Sequence, residues 1–238
     1  MDKAYYSDRG GRKVNEDYIA FQENSSFFCA ILADGLGGQG NGDVASKTAV
    51  NTIIDECMQT RSAAPDDVSR YFNDANAAVL NINQGKHNTL TTAVALFGDK
   101  ECLTYAHVGD SRLYYFYNGK IVERTIDHSV PQVAVMLGEI KEEDIRYHPD
   151  RNRILRAIGS VHELKTDIRS IGKLYPGSHA FLLCSDGFWE YVLESEMELE
   201  FSKAKNAKEW LSRMCSHRVL RAPADADNNS AIVLIINT

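Results

Sequence analysis

Residues 31–38 read ILADGLGG and residues 181–189 read FLLCSDGFW, so an apolar run twice leads directly into an aspartate and a glycine. A plain surface turn needs no buried strand in front of it. A strand, however, fixes the side chain at its end, and a following glycine lets backbone carbonyls and water approach closely. The two stretches therefore predict buried strands that each end in a carboxylate held in a fixed position.

Short apolar or alternating runs recur along the chain and are typical of strands, and three further segments have helical spacing. The predicted strands lie near residues 17–23, 27–33, 91–97, 101–108, 111–117, 154–158, 180–185 and 231–236. The predicted helices are 43–58, 68–82 and 207–219. Because the strands are grouped at hairpin-like spacing and the helices stand apart, the pattern predicts an α+β fold with antiparallel sheets rather than alternating βαβ units.

Composition excludes several classes of function. The 238 residues carry a formal net charge of -7, which disfavours nucleic acid and anionic membranes as partners. The N-terminus lacks the apolar core of a signal peptide, and the longest aliphatic run, 231–236, is too short to span a bilayer. Five cysteines without CxxC spacing suggest neither a disulfide frame nor a zinc site. We expect one domain, residues 1–238, in a cytoplasmic monomer.

Aspartates stand beside the predicted strands. Asp34, Asp110 and Asp186 end apolar runs, Asp227 precedes one, and Asp17 stands directly before YIAF. A single Asp-Gly pair is a common turn, so these residues matter only if they converge, and their spacing does not show convergence. Oxygen ligands of this kind suit Mg or Mn rather than zinc, which favours histidine and cysteine.

Eight motifs, in order, resemble those of the metal-dependent serine/threonine protein phosphatases, the PPM family of the type 2C class, in their compact bacterial form. They are RKVNED (12–17), ADGLGGQGNG (33–42), TLTTA (89–93), VGDSRLY (108–114), DHS (127–129), RNRILRAIG (151–159), LLCSDGFWE (182–190) and DADNNSAIVLI (225–235). The ordered set covers nearly the whole chain. The resemblance implies a four-layer α-β-β-α sandwich, in which two antiparallel sheets are flanked by helices on both sides.

The resemblance also implies a two-metal centre with Mn or Mg. Asp34 and Asp186 match its central ligands, Asp227 matches a ligand of one ion, and the Gly35 carbonyl matches a ligand of the other. Two divalent ions that share an aspartate can hold a water, lower its pKa and present hydroxide in line with a phosphate ester. The implied reaction is hydrolysis of phosphoserine and phosphothreonine on phosphorylated proteins, counteracting a bacterial serine/threonine protein kinase.

Further residues match the family around this centre. Glu16 and Asp17 match residues that act from close by, largely through metal-bound water. Asp110 matches the position that bacterial members use for a third, weaker metal site. Arg12 matches the phosphate-binding arginine, whose planar fork of donors fits two phosphate oxygens.

Charge arithmetic agrees with the implied ions. Asp17, Asp34, Asp186 and Asp227 contribute four negative charges, and two divalent ions contribute four positive charges. Without ions, clustered carboxylates raise one another's pKa values. We therefore predict that Mn or Mg raises the melting temperature of the protein.

The chain departs from the family pattern at two positions. Leu36 stands where eukaryotic members commonly place a histidine proposed as general acid, so another group must protonate the leaving alkoxide. Gln39 stands where bacterial relatives usually carry histidine. The segment 130–153 resembles the flap beside the active site, the variable part that helps to choose the substrate, although an ordinary pair of surface helices would give the same pattern.

Other interpretations remain open. Cys215 and Arg221 have the C-x5-R spacing of cysteine-dependent phosphatases, but the residues between them continue a helical pattern and contain no glycine. His107 is interpreted as a packed or hydrogen-bonded core residue, and His128 as structural. A non-catalytic module that binds phosphoproteins on the same fold is the main alternative, and the retained set of acidic residues and Arg12 argues against it.

Overall fold

The structure, a computed structural model, describes residues 1–36, 41–83, 89–160 and 163–238. The strands in these residues are β1 (Asp2–Asp8), β2 (Asp17–Glu23), β3 (Phe28–Leu36), β4 (Leu90–Thr91), β5 (Ala93–Gly98), β6 (Leu103–Val108), β7 (Arg112–Tyr117), β8 (Lys120–Arg124), β9 (Asp167–Gly172), β10 (Ser178–Cys184) and β11 (Asn229–Asn237). The helices are α1 (Gly42–Thr60), α2 (Pro65–Asn83), α3 (Val130–Met136), α4 (Asp186–Trp189), α5 (Glu194–Lys203) and α6 (Ala207–Arg221), with a 3-10 helix at Glu142–Tyr147.

The strands form two sheets. The first sheet has the order β1-β11-β10-β7-β8, and the second has the order β2-β3-β5-β6-β9, with β4 attached to β3. Every pairing between strands is antiparallel. The two sheets pack face to face, with side chains such as Leu32, Val94, Leu183 and Leu234 buried between them.

Helices cover both outer faces of this sandwich. Along β3, Leu32 faces the first sheet, whereas its neighbour Ile31 packs against α1 and α2. On the other side, Leu182 packs in the same cluster as Trp210 of α6. Both faces of each central strand are therefore buried, which explains their continuous apolar runs. The predicted α+β four-layer sandwich is confirmed.

The elements agree with the sequence patterns for the three predicted helices and for most of the predicted strands. The three predicted helices are present as α1, α2 and α6. Strands β1, β8 and β9 were not predicted, and all three are edge strands with mostly exposed or half-buried residues. The predicted strand 154–158 is wrong, because Ile154 and Ile158 form isolated bridges with two different partners, Ser129 and Thr91.

The segment 130–153, which we call the flap segment, carries α3 and the 3-10 helix. Ile145 from that helix is 1% exposed and packs in the core between the first sheet and its helices. Among the described residues, no helix combines the length and the apolarity that crossing a bilayer would require.

Candidate active site

The second sheet supplies two of the acidic residues. β2 and β3 pair in a register that places Asp17 opposite Asp34. The Asp34 backbone is held by two threonines: its N–H donates to Thr92 Oγ1 at 3.1 Å, and Thr91 Oγ1 donates to its carbonyl at 2.8 Å. The end of β3 is thus fixed by side chains as well as by the strand ladder.

The first sheet supplies two more. Asp186 follows β10 and begins α4, whereas Asp227 precedes β11, the neighbour of β10. Arg218 of α6 joins the two turns, since Nε donates to the Gly187 carbonyl at 2.9 Å and Nη2 to the Asp227 carbonyl at 3.4 Å. A Cβ at Gly187 would lie 2.1 Å from the Asn228 carbonyl oxygen, so only glycine permits this close approach.

The ends of both sheets meet in one cavity of about 630 Å³. The predicted site residues in its wall are Arg12, Glu16, Asp34, Gly35, Asp186 and Asp227. Leu36 also lines the cavity. Asn152, in the flap segment, and Ile154, directly after it, form another part of the cavity wall. Gln39 lies outside the described residues. A larger cavity of about 840 Å³, between β1 and β2, has no carboxylate in its described wall and is not a candidate for this chemistry.

Asp17, opposite Asp34, is 5% exposed and is not among the residues that line the cavity. Ser185 Oγ donates to Asp17 Oδ2 at 2.8 Å and accepts the backbone N–H of Ser230 at 2.9 Å. The other carboxylate oxygen, Oδ1, has no hydrogen-bond partner in the described part of the chain. Ser185 therefore holds one oxygen of Asp17 and leaves the other available to a ligand.

Replacing Ser185 with alanine is expected to weaken metal binding by about tenfold, because an outer hydrogen bond that orients a ligand is then lost. Mn²⁺ titration by calorimetry measures this effect. Ser216→Ala is the matched control, since Ser216 is an exposed residue of α6 that bonds only within its helix among the described contacts. Equal Mn²⁺ affinity in the two variants would contradict the role of Ser185.

The carboxylates are destabilised as anions. Burial raises the pKa of Asp17 to about 7 and that of Asp186 to about 6. Burial, followed by the negative charges of Asp17 and Asp186, raises the pKa of Asp34 well above its ordinary value. Asp34 and Asp186 keep partial exposure to the cavity, so water tempers the effect without changing its direction.

Asp110 is 2% exposed and is not among the residues that line the cavity. Its carbonyl accepts the Trp189 indole N–H at 3.0 Å, and its Oδ1 has no partner among the described residues. Burial, followed by the charge of Asp186, raises the pKa of Asp110. Unpartnered oxygens on Asp17 and Asp110, in an all-oxygen set of crowded carboxylates, fit a group of hard divalent cations.

Arg12 and Glu16 stand at the edges of the acidic cluster. Arg12 Nη2 lies 2.7 Å from Asp227 Oδ2, and about half of the Arg12 side chain is exposed to solvent. Glu16 Oε1 accepts the backbone N–H of Gly42, at the start of α1, at 3.2 Å. The structure thus places a guanidinium beside the carboxylates, with access to the open cavity.

A second group of potential metal ligands, His107, His128 and Asp167, lies outside this cavity. His128 Nδ1 accepts the Gly109 N–H at 3.1 Å, so Nε2 carries the proton that faces Asp167 at 3.2 Å. Arg156 Nη1 also lies 3.0 Å from Asp167 and supplies a positive charge there. Because the ring of His128 has no free lone pair, we assign this group a structural role.

His107 agrees with its interpretation as a core residue. It is 3% exposed, and its Nε2 lies 2.8 Å from the Ile126 carbonyl, so that nitrogen carries the proton. Burial lowers the pKa of His107 to about 4. The ring is therefore neutral at neutral pH.

The cysteine-dependent alternative is not supported by the geometry. Cys215 lies within α6, and burial raises the pKa of its thiol to about 11, so the thiolate is scarce at neutral pH. Arg221 is ion-paired with Glu196 and donates to the Tyr191 carbonyl at 2.9 Å, so its guanidinium is already engaged. The prediction that this spacing belongs to a helix is confirmed.

Sequence reasoning missed Ser185, Arg218 and Asn228. The Asn228 side chain accepts the Glu16 N–H at 2.7 Å and donates to the carbonyls of Arg9 and Val14, which ties the N-terminal motif to the end of the chain. Ser185 and Asn228 each adjoin a predicted ligand in sequence, which is a usable signal. For Arg218, the sequence showed only that it lies on the apolar face of a predicted helix, which does not point to a role at the site.

Comparisons with known proteins show the family to which the chain is similar. The family described as Protein phosphatase 2C matches residues 6–227. The serine/threonine phosphatase stp of Listeria innocua is 31% identical over 246 residues, covering 99% of this chain and 95% of that protein. The structure of Stp1 from Staphylococcus aureus, a serine/threonine phosphatase, is 25% identical with a TM-score of 0.85, covering 100% and 96%. The catalytic domain of PstP, solved with two manganese ions, is 23% identical with a TM-score of 0.79, covering 99% and 98%, and shows the fold alone.

Proposed function

The chain belongs to the protein phosphatase 2C family of serine/threonine phosphatases, and we propose that it hydrolyses phosphoserine and phosphothreonine esters on proteins with two divalent cations. The observation that carries the proposal is the convergence of Asp34, Asp186 and Asp227 in the wall of one cavity, beside Arg12. These residues come from opposite sheets and from distant parts of the sequence. Structural packing alone does not require such a concentration of carboxylates, which costs folding energy.

Asp34 and Asp186 would hold both cations, Asp227 one of them, and the Gly35 carbonyl the other. Glu16 and Asp17 would support them through intervening water, and a third, weaker cation would use Asp110. When bound, such ions supply charge neutralisation and an activated water for attack on phosphorus. Manganese or magnesium suits the all-oxygen set better than zinc does.

Arg12 would orient the phosphate. Its guanidinium already pairs with Asp227 at the cavity, so it lies where a phosphate group would meet the acidic cluster. A planar fork of N–H donors can bind two phosphate oxygens at once and hold the ester in a fixed orientation. Leu36 cannot donate a proton, so the leaving group must take one from another source, such as water in the cavity.

The partners follow from the reaction. The substrates would be proteins phosphorylated by a bacterial serine/threonine kinase, which the phosphatase would counteract. The flap segment and the residue after it contribute Asn152 and Ile154 to the cavity wall, so this part of the chain is the natural contact for the protein that carries the phosphate. A phosphoprotein-binding module without catalysis is the alternative that an assay separates.

Hydrolysis of a phosphothreonine peptide is the direct test. We expect phosphate release that depends on added Mn²⁺ and that falls by at least about 100-fold in EDTA, because the carboxylates alone cannot activate water. Released phosphate is measured by a colorimetric assay, and re-addition of Mn²⁺ after removal of EDTA should restore the rate. Peptide binding without any phosphate release in Mn²⁺ would instead support the non-catalytic module.

A further inference from the structure

A buried arginine joins the flap segment to the end of α4, the short helix that begins at Asp186. Arg146, in the 3-10 helix Glu142–Tyr147, has a side chain that is only 5% exposed. Its Nη1 lies 2.9 Å from the Trp189 carbonyl, 3.3 Å from the Glu190 carbonyl and 3.4 Å from the Val192 carbonyl. One guanidinium nitrogen therefore lies within hydrogen-bond distance of three carbonyl oxygens at and just beyond the end of α4.

The same guanidinium is anchored from a second direction. Arg146 Nη2 lies 2.6 Å from Glu194 Oε2, at the start of α5. Buried arginines are rare unless every donor is paired, so this set of contacts indicates a specific, rigid attachment rather than a solvated side chain. Ile145, beside it in sequence, adds an apolar anchor in the core.

The two segments that Arg146 joins both include residues of the cavity wall. α4 begins at Asp186, and the carbonyls that Arg146 binds lie at and beyond the opposite end of this helix, in residues 189–192. The two ends of the flap segment pair with each other: Ser129 and Ile154, which flank the segment, form a bridge, and Val130 N–H donates to the Arg153 carbonyl at 2.9 Å. This pairing holds Asn152 and Ile154 in the cavity wall. Arg146 thus attaches the flap segment to the end of α4, six residues before Asn152 of the cavity wall.

We propose that Arg146 is a positioning residue that sets the flap wall of the active site and thereby determines affinity for protein substrates. The inference rests on the proposed function. A small phosphate ester needs only the acidic cluster and Arg12, whereas a phosphoprotein must also lie against the wall formed by Asn152 and Ile154. Loosening the wall should therefore affect the two substrate classes unequally.

The test compares steady-state kinetics of Arg146→Met with p-nitrophenyl phosphate and with phosphorylated casein, both in Mn²⁺. We expect KM for casein to rise by about tenfold, while KM and kcat for p-nitrophenyl phosphate stay within about twofold of wild type. Arg146→Lys keeps a charge and fewer donors, so its KM for casein should rise by about threefold. Lys141→Met is the matched control, because Lys141 is an exposed residue of the same segment whose ammonium, among the described contacts, meets only the Glu143 carboxylate.

Each outcome decides the matter. Equal losses on both substrates, or a casein KM in Lys141→Met that rises as much as in Arg146→Met, would overturn the assignment. If Arg146→Met does not fold by circular dichroism, an unchanged ratio of the two KM values in a folded Arg146→Lys overturns it instead. Wild-type protein that hydrolyses neither ester would contradict the proposed function itself, which is a different result from wild-type activity with an unaltered KM ratio.

Discussion

Asp186→Ala should lose phosphatase activity by at least about 10³-fold in kcat, which is the largest effect we expect from any single substitution. Asp186 is the carboxylate that begins α4 and lines the cavity with Asp34 and Asp227. Its removal takes one ligand from the proposed cation pair and disturbs the charge balance that activates water. The rate is measured with a phosphothreonine peptide in saturating Mn²⁺.

The same variant should be more stable than wild type without metal. The pKa of Asp186 is raised to about 6, mainly by burial, so at pH 7.5 this anion is held at a cost in folding energy. Alanine removes that cost and also removes the electrostatic repulsion between Asp186 and Asp34. A metal-free melting temperature that rises while activity disappears would show that the loss is chemical and not a failure to fold.

Cys215→Ser is the control for the rival chemistry. Cys215 lies in α6 with a raised thiol pKa, and it takes no part in the acidic cluster. We expect its kcat to stay within about twofold of wild type, because serine preserves the volume of the side chain. If Cys215→Ser were inactive and Asp186→Ala active, the metal-dependent mechanism would be wrong.

The fold was predictable where burial leaves a strong pattern. Central strands such as β3 and β10 are buried on both faces and read as continuous apolar runs, and α2 and α6 repeat their apolar residues at helical spacing. Edge strands such as β1 pair on one side only and bury few residues, so their sequence carries little signal. The apolar run 154–158 was predicted as one strand, whereas Ile154 and Ile158 form single bridges with different partners. The sequence of the run does not specify which segment each residue pairs with.

The acidic site was predictable only in part, and for a related reason. The residues alone indicated oxygen ligands at strand ends. The approach of Asp34 to Asp186, however, depends on contacts between segments that lie 152 positions apart in the sequence. Only the resemblance to a known family supplied that convergence. Ser185, Arg218 and Arg146 act through hydrogen bonds that tertiary packing creates, and local sequence does not encode such partners.

Stabilisation by Mn²⁺ is expected to grow as pH rises from about 5.5 to 7.5. With ion at about 100 times its Kd, binding adds roughly 2.7 kcal/mol, or about 5–10 °C in Tm for a chain of this size. At pH 5.5, protons occupy Asp17, with a pKa of about 7, and partly Asp186, with a pKa of about 6. Competition by these protons should weaken binding by at least about tenfold and remove roughly half of the gain.

The metal-free protein should show the opposite slope from these groups. An unfolded aspartate has a pKa of about 3.9, so the folded protein binds more protons than the unfolded chain between pH of about 4 and 7. The contribution of Asp17 and Asp186 to the free energy of unfolding therefore falls as pH rises through that window. Cations bind the deprotonated forms and reverse this loss, which is why the two slopes must differ.

The difference between the two melting curves isolates the acidic site. Glu196, whose pKa is lowered to about 2 by its hydrogen bond with Arg221, and His107, whose pKa is lowered to about 4 by burial, titrate in both states and cancel. Calorimetric melting with Mn²⁺ and with EDTA at three pH values measures the difference, and Asp186→Ala should abolish most of it. A Mn²⁺-dependent gain that is equal at pH 5.5 and 7.5 would mean that the ion binds elsewhere, because no other described cluster of carboxylates combines such burial with raised pKa values.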